Sequence, residues 1–171
     1  MENLIEEVIS ENMEILKLRG ITNWTGSKFE PIKLAAKTHG GDFGESTASE
    51  ILTKLGYPSK VVNGGKGSFD ILLAEKILLE HKLATEDTKG YFQFNGIKKN
   101  VKFDYVFCLG VSPDEFFFTI LSKNECQGLT TSMTKKDKKK KMDSFKYMVR
   151  KKNMIPLTVE NLKKEIEKIV K

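Results

Sequence analysis

The chain has 171 residues, of which 39% are hydrophobic and 30% are charged. That is enough for one domain with its own core and too little for two full domains. No apolar run approaches the roughly 18 residues that span a bilayer, and the start is acidic where a signal peptide is basic. The net charge of +6 attracts polyanions. We therefore expect a cytoplasmic protein with no membrane partner.

Apolar residues repeating at helical spacing predict three helices. The first covers residues 3–19, the second residues 42–55, and the third follows Thr158 as its N-cap. A shorter helical piece is expected over residues 32–37, and Gly40-Gly41 is interpreted as a break before the second helix.

Glu45 lies in the apolar stripe of the second helix. It precedes Ala48 by three residues and Leu52 by seven, so its carboxylate is expected to face the sheet. A first-turn glutamate favoured by the helix dipole is the second interpretation, and the sequence leaves both open.

The most specific stretch is residues 67–84, in which two apolar runs flank a short polar turn. Residues 71–74 and 77–83 are too short for helices and are predicted to form a hairpin. We expect a three-residue loop centred on Glu75, whereas a two-residue turn would shift every cross-strand pair by one.

With the three-residue loop, Asp70 pairs with Glu80, and Lys82 follows on the same face. Two buried carboxylates repel each other, and a divalent cation between them relieves that repulsion. Mg²⁺ suits such oxygen ligands, with Mn²⁺ as a substitute, and a nearby lysine can orient or deprotonate water. The plainer alternative is a solvated strand face, since short motifs often match by chance.

Asp70, nine intervening residues and then Glu80-His81-Lys82 resemble the motif of the PD-(D/E)XK nucleases, which include type II restriction endonucleases. Phe69 stands where that motif has proline. The resemblance extends over about residues 40–122. It implies a metal site of Asp70, Glu80 and Glu45, the last on the helix before the core strands, with Lys82 positioning or activating water.

Residues 91–97 combine aromatic side chains with the amides of Gln93 and Asn95, which suit the edge of adenine. This segment resembles a short helix that follows the catalytic strand in many restriction enzymes. An apolar cluster under a loop is the alternative.

Basic residues concentrate in the last third of the chain, where residues 135–141 contain six lysines. Such runs are usually solvated, but near a cleft they neutralise phosphates without reading sequence. The residues expected to bind DNA are Gln93, Asn95, Lys98, Lys135, Lys138, Lys139, Lys140, Lys141, Lys146 and Arg150.

The expected fold class is α/β (α+β), a restriction endonuclease-like mixed central β-sheet of about five strands flanked by helices. We expect one nuclease domain over residues 1–171, with a catalytic core at about 40–122 and a basic segment and helix at 123–171. The expected function is Mg²⁺-dependent, sequence-specific cleavage of double-stranded DNA by a homodimer. A junction resolvase and a non-catalytic basic DNA-binding module are the alternatives.

Overall fold

The computed structural model describes residues 8–11, 23–62, 69–131 and 144–171. Residues 8–11 are helical, and the rest of the helix predicted over 3–19 lies outside the described residues. The lysine run at 135–141 also lies outside them. Within the described ranges, no helix is long and apolar enough to cross a membrane.

Two sheets organise the described residues. Their strands are β1 Ser59–Val61, β2 Ile71–Leu73, β3 Ile77–Thr85, β4 Tyr91–Lys98, β5 Tyr105–Val111, β6 Phe116–Ser122, β7 Thr130–Thr131, β8 Ser144–Arg150 and β9 Ile155–Pro156. The central sheet has the order β1-β2-β3-β5-β6-β9, and the second sheet has the order β4-β8-β7. Strands β3 and β5 are parallel, and the other pairs are antiparallel. The predicted mixed α+β architecture is confirmed, with six central strands rather than about five.

Both faces of the central sheet are buried, as its aliphatic and aromatic strands require. On β5, Val106 and Cys108 belong to one apolar cluster, and Phe107 and Leu109 belong to the other. The second sheet covers the first of these clusters. Besides the helical residues 8–11, the described residues form the helices α1 Glu30–Ala35, α2 Gly40–Lys54 and α3 Val159–Val170. Residues of α2 and α3 belong to the second cluster.

The hairpin of β2 and β3 has the predicted three-residue loop. Leu73 pairs with Ile77, and Leu72 pairs with Leu78, so the two-residue turn is excluded. Ala74 and Glu75 adopt positive φ angles of 49° and 58°, which reverse the chain within three residues at some cost in backbone strain. The loop therefore fixes which side chains of β3 face each cluster.

The expected helix over residues 91–97 is wrong, because this segment forms strand β4. Phe92, Phe94 and Ile97 are buried while Gln93 and Asn95 are exposed, which is the two-residue period of a half-buried strand. The period breaks at Gly96, where φ is 70° and the register with β8 shifts between Phe94 and Ile97. Packing against the central sheet selects the strand.

The expected break at Gly40-Gly41 is also wrong, because α2 begins at Gly40. A Cβ on Gly40 would lie 3.2 Å from Cδ2 of Leu83, so glycine lets the helix approach β3 closely. The predicted cap of the last helix is confirmed, since the Thr158 hydroxyl oxygen accepts the backbone N–H of Asn161 at 3.1 Å.

Candidate active site

Strand β3 places Glu80 and Lys82 on the face that also carries the second sheet. The Glu80 side chain is fully buried, and its Oε1 lies 2.7 Å from Nζ of Lys82, whose side chain is 20% exposed. This short contact is a charge-assisted pair that occupies Oε1 of Glu80. Among the described residues, Oε2 of Glu80 has no hydrogen-bond partner. The site thus contains a buried carboxylate with one paired and one unpaired oxygen.

Asp70 lies directly before β2, and its carboxylate contacts the backbone of β3. Its Oδ2 accepts the N–H of His81 at 2.7 Å, while its own N–H donates to the carbonyl of Leu79 at 2.9 Å. The hydrogen-bonded pairing of β2 with β3 ends at Ile71 and Leu79. The predicted Asp70–Glu80 pair is therefore not part of the paired strands and falls one residue past their end. Phe69 packs into the cluster under the second sheet and anchors the chain where the motif has proline.

Glu45 is half-buried in the second turn of α2, outside the first turn where the helix dipole acts most strongly. Burial raises the pKa of Glu45, and the Asp70 carboxylate raises this pKa further, whereas Lys82 lowers it. Burial also raises the pKa of Glu80, which Lys82 lowers and Asp70 raises. The four side chains therefore lie within electrostatic reach of one another.

No three His, Cys, Asp or Glu side chains of the described residues converge into a ready metal-binding group. The chemistry of the donors nevertheless fits a hard divalent cation, because three carboxylates lie within electrostatic reach of one another and Oε2 of Glu80 is unpaired. Lys82 places a positive charge against Oε1 of the same group. Lys98 at the end of β4 also lowers the pKa of Glu80, so a second positive charge acts on the same carboxylate from a distance.

His81 sits between the two motif residues but faces the opposite side of the sheet. It stacks on Phe107 with ring centroids 5.9 Å apart, and burial lowers its pKa to about 3. The imidazole is therefore neutral near pH 7 and has no access to solvent for proton transfer. Its role is to pack against α2.

Gly44 makes that packing possible. A Cβ on Gly44 would lie 2.4 Å from Cε1 of His81 and 3.2 Å from Cβ of Leu83. The close approach of α2 to β3 sets the position of the next residue, Glu45. Gly44 was not among the predicted site residues, although small residues four apart at Gly40, Gly44 and Ala48 mark such a helix face.

Every described residue among the predicted DNA contacts lies on the second sheet. Gln93, Asn95 and Lys98 are on β4, while Lys146 and Arg150 are on β8. The remaining ones, Lys135 and Lys138 to Lys141, lie outside the described residues.

A cleft of about 780 Å³ lies away from Glu45, Asp70 and Glu80. Its lining includes two glutamates and four basic residues, Lys89, Arg150, Lys151 and Lys152. Because Arg150 also belongs to β8, this basic cleft continues the charge of the second sheet. The carboxylates, by contrast, lie at the junction of the two sheets and α2.

The protein therefore has an α+β fold with a mixed central sheet. The side chains of Asp70, Glu80 and Lys82 lie at the β2–β3 hairpin of that sheet. No protein-family model matches the chain, and no curated protein matches it. Among solved structures, the chain is similar to a bacterial homing endonuclease, I-Ssp6803I, with a TM-score of 0.41 and 15% sequence identity. That similarity covers 60% of this chain and 78% of the other. A likeness this weak does not establish a shared function.

Replacing Glu45 tests its contact with the site. In metal-free buffer, Glu45→Gln should stabilise the protein above pH 4.5, the ordinary pKa of the group, and leave its stability unchanged below it. The sign follows because a raised pKa means that the folded state favours the protonated carboxyl, so stability is lost as the pH rises through the folded pKa. Thermal melting of both proteins from pH 3 to 8 measures the difference.

If Glu45 is a ligand of a divalent cation, the same variant should also need more Mg²⁺ for cleavage, because a neutral amide oxygen replaces a charged carboxylate. Glu50→Gln on the exposed side of α2 is the control. Glu50 forms a solvent-exposed ion pair with Lys54 at 2.6 Å, so its replacement should leave the Mg²⁺ requirement unchanged. A Glu45→Gln variant that melts lower at pH 7 with an unchanged Mg²⁺ titration would remove Glu45 from the site.

Proposed function

We propose that the protein is a Mg²⁺-dependent endonuclease that cuts double-stranded DNA at specific sequences, as type II restriction enzymes do. The observation that carries this proposal is the fully buried Glu80 carboxylate, whose Oε1 pairs with Lys82 at 2.7 Å and whose Oε2 has no hydrogen-bond partner among the described residues. Asp70 and Glu45 lie within electrostatic reach of it. A buried charge that serves packing alone is costly and is normally satisfied by hydrogen bonds.

The carboxylates have a consistent role as cation ligands. Asp70 and Glu80 would hold Mg²⁺, and Glu45 would complete the ligand set from α2. When bound, Mg²⁺ supplies a Lewis acid that polarises a phosphoryl oxygen and lowers the pKa of a coordinated water. The backbone bond from His81 to Oδ2 of Asp70 restricts that carboxylate to one orientation before any ligand arrives.

The lysines have the complementary role toward phosphate and water. Lys82 is partly exposed and lies against Glu80, so its ammonium is available to orient the attacking water or to stabilise charge on the phosphate. Lys98 is exposed on β4 and acts on the same carboxylate. It would hold the adjacent phosphate of the DNA backbone.

A basic DNA-binding module without catalysis is the second candidate. It is favoured by the two contacts that already occupy the carboxylates, the Lys82–Glu80 ion pair and the backbone bond at Asp70. In that case Asp70 serves only to fix the end of β2. DNA binding is common to both candidates, so cleavage has to be measured.

Digesting supercoiled plasmid with and without Mg²⁺, and sequencing the ends, tests the proposal. Discrete fragments with defined ends, formed only with Mg²⁺ or Mn²⁺, support it. Cleavage confined to branched DNA would indicate a junction resolvase, and intact DNA under all conditions would indicate the non-catalytic module. Symmetric ends on both strands would further support a homodimer, since a two-fold site matches a two-fold protein.

Neutralising Lys138 to Lys141 should weaken binding to all DNA sequences alike. Each phosphate contact contributes about 0.9 to the slope of log affinity against log salt, so losing up to four contacts should lower the slope by up to about 4. Titrations between 50 mM and 200 mM salt measure this slope. Neutralising four lysines on or after α3, Lys163, Lys164, Lys168 and Lys171, is the control. A changed cutting site with an unchanged slope would mean that the run reads bases.

A further inference from the structure

The outer face of the second sheet is the side of β4 and β8 that points away from the core. It carries Tyr91, Gln93, Asn95, Lys146, Met148 and Arg150, while Phe92, Phe94 and Val149 face inward and are buried. No residue of β4, β7 or β8 is acidic. A polar face without carboxylates and with basic residues is complementary to a polyanion.

The strand pairing of this face is of a kind that one groove of DNA accepts. The major groove admits a two-stranded β-ribbon, and β4 and β8 form an antiparallel pair, with the two-residue strand β7 beside β8. Outward side chains two residues apart on a strand are about 6.8 Å apart, which matches two base-pair steps of about 3.4 Å. Along the groove, the side chains of Tyr91, Gln93 and Asn95 would thus each lie about two base pairs from the next.

The Gln93 amide is hydrogen-bonded to a neighbour on the same strand. Its Nε2 donates to Oδ1 of Asn95 at 3.1 Å, which leaves Oε1 as an acceptor and one further N–H as a donor on the same amide. Adenine presents the matching N6–H₂ donor and N7 acceptor in the major groove. An exposed amide that is already oriented loses little freedom on binding.

Met148 lies directly across from Gln93 in the ladder and is 51% exposed. Cross-strand neighbours are about 5 Å apart, and an exposed methionine offers an apolar, adaptable contact. In an A·T pair, the thymine methyl group lies beside the adenine donor and acceptor in the same groove. Gln93 would therefore contact the adenine, and Met148 would contact the methyl group of the thymine.

We propose that the outer face of the second sheet enters the major groove of double-stranded DNA, where Gln93, held by Asn95 and flanked by Met148, reads an A·T base pair. This inference rests on the proposed function for the identity of the ligand. It assigns Gln93 and Met148 as specificity-determining residues and Asn95 as the residue that positions Gln93.

The test selects bound sequences from a randomised duplex library in metal-free buffer, so that it does not depend on cleavage. The full chain should enrich an A·T pair at one position of its site, preferred about 10- to 100-fold. Gln93→Glu should change that position to C·G, because a carboxylate accepts from N4 of cytosine, and should leave the other positions unchanged. Gln127→Glu is the matched control, since it makes the same charge change at an exposed residue outside both strands.

Two further variants separate the roles. Asn95→Ala should weaken the adenine preference at that position, whereas Asn95→Asp keeps the acceptor and should keep the preference while lowering affinity for all sequences. Replacing the thymine by uracil should weaken binding of the unaltered protein several-fold and should make no difference to Met148→Ala. Melting curves check that all variants fold.

The outcomes distinguish the two proposals. If the protein binds no duplex DNA, the proposed function and this inference both fail. If it selects or cuts a defined sequence but Gln93→Glu changes no position, only the inference fails. Equal binding of single-stranded DNA with the same base preference would overturn entry into the major groove.

Discussion

Asp70→Asn should lower the rate of Mg²⁺-dependent DNA cleavage by about 100-fold or more. The change removes one negative charge from the proposed ligand set, and metal assistance contributes several kcal/mol to phosphoryl chemistry, where each 1.36 kcal/mol is tenfold in rate. The asparagine oxygen can still accept the N–H of His81, which Asp70 accepts at 2.7 Å. The fold should therefore survive, and DNA binding should be retained or strengthened, because a charge that repels phosphate is gone.

Asp104→Asn is a close structural control for that variant. Oδ2 of Asp104 accepts the backbone N–H of Leu78 at 2.8 Å. Like Asp70, this carboxylate therefore bonds to the backbone of β3, but Asp104 is exposed. Cleavage by this control should be unchanged. Single-turnover cleavage and DNA binding should be measured on both variants, and a full cleavage rate in Asp70→Asn would disprove the metal assignment of Asp70.

Gly44→Ala should lower the free energy of unfolding by about 1–3 kcal/mol, the usual cost of overpacking a filled interior. The new methyl group would lie 2.4 Å from Cε1 of His81. The imidazole ring cannot move away from it, because the ring is buried and stacked on Phe107. Helix α2 must therefore move away from β3, and Glu45 must move with it. The variant should also need more Mg²⁺ for cleavage.

The same helix provides the control. A Cβ on Gly41 would have no neighbour within 4 Å, so Gly41→Ala should leave stability unchanged or raise it by up to about 1 kcal/mol through helix propensity. Removing the ring with His81→Ala should reduce the cost of Gly44→Ala, which a double-mutant cycle in urea measures as a coupling energy. Equal stability of Gly44→Ala and Gly41→Ala would contradict the close approach of α2 to β3.

The local features of this fold are determined by the sequence itself. The hairpin loop at residues 74–76 is predictable because two apolar runs flank a single short polar turn, and register follows from the position of that turn. The Thr158 cap is predictable because a hydroxyl three residues before Asn161 satisfies a helix-terminal N–H. Each depends on residues close together in the chain, so no distant contact is needed to specify it.

The second sheet was decided by contacts that are distant in the chain. Strand β4 pairs with β8, which begins 46 residues after β4 ends, and strand preference depends on such partners more than on the residues alone. The resemblance to restriction enzymes suggested a helix over residues 91–97, yet the alternation of Phe92 and Phe94 with exposed amides already indicated a strand. The alternation of Phe145, Tyr147 and Val149 in β8 was the corresponding missed signal.

For the candidate site, the sequence determined which residues carry charge, and the tertiary structure decided how each charge is held. Spacing put Glu80 and Lys82 on one face of β3, because strand side chains alternate. Only the packed structure buries Glu80 completely, ties Asp70 to the N–H of His81, and brings Glu45 within their electrostatic reach. The reason is physical: burial and the approach of α2 through Gly44 depend on what covers the sheet, which a periodic pattern in one segment does not specify.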